Sequence, residues 1–135
     1  MPAMNGMRFA LVVFGAGLVA STTDWLFAGD WIHKRWTYPE AWRKDEGRAI
    51  ALTSPLPFLT CGLFAYLALR LGLHTFAGLL KFAFAIWLLG PLPLILTNAA
   101  FIKLHRMFVL FYALGWLVKL LIAASAVRWL MASAS

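Results

Sequence analysis

Residues 107 to 130 read MFVLFYALGWLVKLLIAASAVRWL, a stretch interrupted by only two charges, Lys119 and Arg128. Its length exceeds the roughly 20 residues a helix needs to cross a ~30 Å hydrocarbon layer. Apolar side chains would surround such a helix on all sides, leaving no polar face for water. Three further runs, at about 9 to 28, 49 to 71 and 76 to 102, are of the same kind. None shows the ten-residue alternation of a membrane β-strand, and backbone groups in hydrocarbon must be satisfied internally, so each run is expected to be a helix. The expected fold is all-α, an antiparallel four-helix transmembrane bundle forming one domain over residues 1–135.

Composition supports this reading. The chain of 135 residues is 63% hydrophobic and 13% charged, against roughly 45–50% and about 25% in soluble domains. A water-soluble domain of this size could not hide so much apolar surface. The length leaves no room for a separate catalytic domain, so function is expected within the helices or the first loop. The net charge of +7 comes from basic residues scattered at helix ends. That pattern excludes a nucleic-acid partner and points to membrane lipids with anionic heads. Cys61 is the single cysteine, which rules out an internal disulfide, a CxxC pair or a cysteine zinc site, and reads as a small core residue. The basic start followed by FALVVFGAGLVA imitates a signal peptide, but no small-x-small cleavage site follows, so a retained first helix is expected.

The connections at residues 72–75 and 103–106 are short, making the second, third and fourth helices antiparallel neighbours. The first loop is longer. Its Thr37-Tyr38-Pro39-Glu40 fits a capped helix start, and a short helix over about 38 to 46, ending at Gly47, is expected. Trp31, Trp36, Tyr38 and Trp42 alternate with Lys34, Arg35, Arg43 and Lys44, the composition of a segment lying on lipid head groups. The face carrying the first and third loops holds Lys34, Arg35, Arg43, Lys44, Arg48, Lys103 and Arg106, against Arg8, Arg70 and Arg128 opposite. The positive-inside bias then places both termini outside the cytoplasm, in what is expected to be a bacterial inner membrane.

Lys119, near the middle of the last run, would cost roughly 2.5–3.5 kcal/mol facing lipid. Its side chain leans toward the first-loop face, and that of Asp24, on a helix running the other way, leans inward from the same face. The two are expected to meet as an ion pair, directly or through one water. PLPFLT (55–60) and PLPLILT (91–97) place Pro55, Pro57, Pro91 and Pro93 in the same half of the membrane. Kinks are expected there, freeing the carbonyls of Ala51, Thr53, Trp87 and Leu89. Asn98, Thr97, Thr22, Thr23, Thr53, Ser54 and His105 lie at a similar level. With Asp24 and Lys119 they outline a polar vestibule for a ligand, or else they join helices by hydrogen bonds.

Other groups point to less. The five acidic residues, Asp24, Asp30, Glu40, Asp45 and Glu46, match the nearby cations in an ion-paired loop, and no metal is expected at His33 or elsewhere. His33, His74 and His105 do not pair inside the bundle, so haem is not expected, and no other cofactor is implied. Lys81 reads as a snorkelling anchor. Ala16xxxAla20, Gly17xxxSer21 and the run Ala123 to Ala126 permit close helix approach, within the chain or between copies.

The stretches TDWLFAGDWIHKRWTYPEAWR (23–43), PLPLILTNAAFIKLH (91–105) and LGWLVKL (114–120) resemble the small bacterial membrane proteins grouped as domain of unknown function 1761. The resemblance implies a four-helix membrane protein with no established reaction, and carries no catalytic residue over. Without any nucleophile and base at a familiar spacing, the leading expectation is binding of a lipid or other hydrophobic small molecule, or service as an accessory subunit of a membrane complex. A small homo-oligomeric transporter or channel is the alternative, and an intramembrane enzyme using Asp24, His33 or His105 the third.

Overall fold

The computed structural model describes residues 6–28, 35–36, 46–73 and 75–134. Among the described residues six helices follow in order: α1 Gly6–Ala28, α2 Glu46–Thr53, α3 Leu56–Arg70, α4 Phe76–Leu89, α5 Pro91–Phe101 and α6 Arg106–Ala134. They form four membrane spans, Gly6–Phe27, Gly47–Arg70, Phe76–Phe101 and Arg106–Met131, with mean hydropathies from 1.5 to 2.1. The protein is an all-α integral membrane four-helix bundle. Leu11, Phe14, Leu18, Leu59, Phe84, Leu94 and Leu110 are among many large apolar side chains facing outward, an arrangement stable only when the surrounding medium is itself apolar.

Two spans are each built from two helices because proline interrupts them. Pro55 lacks the amide that would bond the carbonyl of Ala51, and its ring crowds that carbonyl, so α2 gives way to α3. The Ser54 amide and hydroxyl both donate to the Ile50 carbonyl, and the Thr53 hydroxyl donates to that of Ala49. The hydroxyls thus bond the carbonyls of Ala49 and Ile50, and not those of Ala51 and Thr53 that the prolines free. The ladder resumes where the Leu59 amide bonds the Pro55 carbonyl. At the second break Gly90 leaves helical geometry (φ −121°, ψ −79°) ahead of Pro91 and Pro93. Gly47, expected to end a helix, instead lies in the first turn of α2. The rest of the expected interfacial helix, 38–45, lies outside the described residues.

The turn between α3 and α4 is compact. Gly72 adopts φ 70°, its amide bonds the Leu69 carbonyl, and the Leu73 amide bonds that of Ala68. These two bonds close the C-terminus of α3 in a Schellman arrangement, which favours glycine at the left-handed position. Three residues on, the Thr75 hydroxyl accepts from the Gly78 amide and caps α4.

α6 is the centre of the bundle, packing against α1, α3, α4 and α5, while α1 also packs on α3. Small residues make the close approach possible: Ala16, Ala20, Ala65, Ala83, Ala123 and Ala124 are all buried in one cluster with Cys61, Phe64, Leu79 and Leu120. The small-residue stripes of the first and last spans therefore serve contacts within the chain. Gly17 faces the ring of Phe58, and a Cβ at Gly115 would stand 2.8 Å from Cβ of Phe27. α3 and α4 touch through the rings of Phe64 and Phe82, 5.1 Å apart. Beyond that contact the second and third spans diverge, so these sequence neighbours share the flank of α6 more than they pack on each other.

Gly115→Ala is expected to destabilise the bundle by about 1–3 kcal/mol, since Phe27 is approached near its backbone and has little room to yield. Gly15→Ala, where the added methyl meets open space, should be neutral or gain helix propensity of up to roughly 1 kcal/mol. Unfolding midpoints of the two variants in a mixed-detergent titration provide the comparison.

Candidate functional site

α6 lifts Lys119 into the bundle, where only 6% of the residue remains exposed. Nζ lies 3.0 Å from a carboxylate oxygen of Asp24 on α1, and 3.9 Å from the ring centroid of Trp116, one turn earlier on α6. The opposite lean of side chains on the two antiparallel helices closes the gap between residues that begin at different depths. The ammonium is thereby held by a charge-assisted hydrogen bond and by the negative face of an indole. The Asp24 side chain stays 31% exposed, as suits a carboxylate one turn from the end of its helix. Gly115 and Phe27 bring the two backbones close enough for the contact.

On another flank of α6 the divergence of the second and third spans leaves a cleft of about 590 Å³. Thr60, Leu63, Phe64 and Leu67 of α3 form one wall. Gly90 with Pro91, Leu94, Ile95 and Asn98 of α5 form the other, together with Ile86 of α4. Tyr112, Trp116 and Leu120 of α6 make the floor. Trp116 therefore borders both the cleft and the ion pair. A hydrogen bond from the Trp87 indole nitrogen to the Ala113 carbonyl (2.8 Å) ties α4 to α6 beside it.

The residues expected to outline one vestibule are distributed over separate places. Asp24 and Lys119 meet each other, while Asn98 lines the cleft. Thr53 and Thr97 are exposed and line neither. The hydroxyls of Ser21, Thr22, Thr23, Thr53, Ser54 and Ser125 all donate to carbonyls of their own helix. They satisfy local backbone and do not join helices. His105 lies at the α5–α6 turn, where its Nδ1 accepts from the Met107 amide and its ring stacks with Trp36 at 6.5 Å. Trp36 in turn stacks on Phe111 at 5.1 Å, and the Arg35 guanidinium carbon lies 5.1 Å from the Trp36 ring centroid. Pro91 borders the cleft, whereas Pro55 and Pro57 act on the path of the second span. His33 and His74 fall outside the described residues. Among the described residues no three His, Cys, Asp or Glu side chains converge.

Sequence reasoning missed Trp116, Tyr112 and Thr60. The signal for Trp116 was present in its i, i+3 spacing from Lys119, which places both on one helix face. No family model, curated protein or solved structure matches this chain.

The ion pair is expected to couple energetically. Asp24→Asn and Lys119→Met should each destabilise the bundle, by less than the roughly 3–5 kcal/mol of a fully enclosed pair because Asp24 is partly exposed. The double variant should recover much of the loss. A double-mutant cycle giving coupling near zero would show that the two charges act independently.

Proposed function

We propose that this membrane protein binds the hydrocarbon chain of a lipid, or a molecule of similar shape, in the cleft between its second and third spans. The observation that carries the reading is the cleft itself. Its volume of about 590 Å³ falls within the roughly 300–1,000 Å³ of small-molecule sites, and its lining has their mixture of many apolar groups and few polar ones. An apolar groove facing hydrocarbon gains dispersion contact when a chain lies in it. Thr60, Asn98 and Tyr112 are the polar points along it. A lipid-binding role is favoured over a pore because Lys119 is enclosed by Asp24 and Trp116 and does not line the cleft.

The same proposal includes a bacterial inner membrane with both termini outside the cytoplasm, supported by the seven basic residues on the face of the first and third loops. Kinship with the domain of unknown function 1761 proteins is part of it too, and rests on the three stretches quoted above.

Ile95→Trp should fill the cleft, and Leu96→Trp, on the exposed side of the same helix, should leave it open. Native mass spectrometry from mild detergent is expected to show one retained lipid in the wild type and in Leu96→Trp, and loss of it in Ile95→Trp. Equal retention by the two variants, or none in the wild type, would overturn the reading. For topology, alkaline phosphatase fused after Ser135 should be active and a fused green fluorescent protein dark.

A further inference from the structure

We infer that the lipid in the cleft is an anionic phospholipid, with its acyl chain along α3, α5 and α6 and its phosphate over the α5–α6 turn beside Lys103 and Arg106. The inference rests on the cleft being an acyl-chain site and adds the chemistry of the head. The two ends of the cleft differ. Toward the α3–α4 turn the lining is Leu63, Phe64 and Leu67, whereas toward the α5–α6 turn it is Asn98 and Tyr112. A molecule with one greasy and one polar end fits in one direction only. Among the described residues the exposed Asn98 carboxamide has no hydrogen-bond partner, so it is placed to meet ester or glycerol oxygens at the top of the chain.

The turn follows directly. α5 ends at Phe101, and Ile102 is extended (φ −119°, ψ 142°). Lys103 to His105 then bridge to Arg106, the first residue of α6. Tyr112 lies six residues further along α6, about 9 Å below Arg106 along the axis, so the polar end of the cleft opens toward the turn. Lys103 and Arg106 are both exposed. Among the described residues neither cation has an ion-pair partner. Leu104, His105, Arg106 and Met107 border an open surface depression at this level. Because His105 Nδ1 accepts from the Met107 amide, the proton of the neutral ring sits on Nε2, which can donate to a phosphate oxygen. Two cations and one donor at head-group depth, above an apolar groove, complement a phosphate diester whose remaining charge is negative.

The test uses the full chain in neutral detergent with phosphatidylglycerol and phosphatidylcholine carrying identical, tail-labelled acyl chains. Two basic side chains should favour phosphatidylglycerol by roughly tenfold or more at low salt, and the preference should shrink toward unity as ~1 M salt screens it. Lys103→Gln with Arg106→Gln is expected to abolish the preference, weakening phosphatidylglycerol binding far more than that of phosphatidylcholine, whose choline already offsets its phosphate. Lys81→Gln, at an exposed site near the other face, should change nothing and controls for net charge. Equal binding of the two lipids by the wild type, or a preference that survives the double substitution, would overturn the assignment of the head and leave the acyl-chain reading standing. Failure of both lipids to bind stoichiometrically would remove both.

Discussion

A positive charge near the middle of a membrane-spanning helix must be kept from hydrocarbon, and Lys119 imposes that requirement on the whole bundle. Only a helix carrying an acceptor at the right depth could meet it, and α1 supplies Asp24. The contact requires the two helices to run close together, which explains the buried Ala16 and Ala20 on one side and Gly115, Ala123 and Ala124 on the other. In lipid there is no hydrophobic drive between helices, so close contact of small residues and satisfied polar groups supply the attraction. α6 becomes the hub because it carries both the charge and the small residues.

The same crowding leaves one flank open. With α1 and α4 seated against small residues of α6, α3 and α5 meet α6 on a face bearing Tyr112, Trp116 and Leu120. These bulky side chains hold α3 and α5 apart, and the break at Gly90 and Pro91 redirects α5. The cleft follows from that geometry. Trp116 is shared between two neighbours, as a wall for the cleft and as a partner for the Lys119 ammonium. The occupant of the cleft and the ion pair are therefore separated by a single side chain.

Much of the architecture was legible in linear order. Helix number and approximate extent follow from runs of residues longer than a bilayer is thick, and Pro55 and Pro91 mark breaks because a missing amide acts wherever it stands. The meeting of Asp24 with Lys119 was legible for a similar reason, since depth in the membrane can be counted along each helix and the lean of side chains is fixed by backbone chirality. The stop expected at Gly47 was not observed: Gly47 keeps helical geometry within α2, whereas Gly72 turns left-handed and closes α3. The threonine and serine hydroxyls, which could have joined helices, bond their own backbone instead. That choice depends on rotamer and neighbour, and residue type does not encode it.

What the amino-acid sequence determined alone was the solvent of the fold, the count of spans and the depth of each charged group, because these depend on length, composition and helical rise. Which face of each helix meets which neighbour was decided only by tertiary structure. Rotation about a helix axis is set by the fit of side chains contributed by distant parts of the chain, and in a helix apolar on all sides no polar stripe announces it. Asn98 was therefore predictable in level but not in company, and the cleft it shares with Tyr112 and Trp116 exists only once three spans have been set against the fourth.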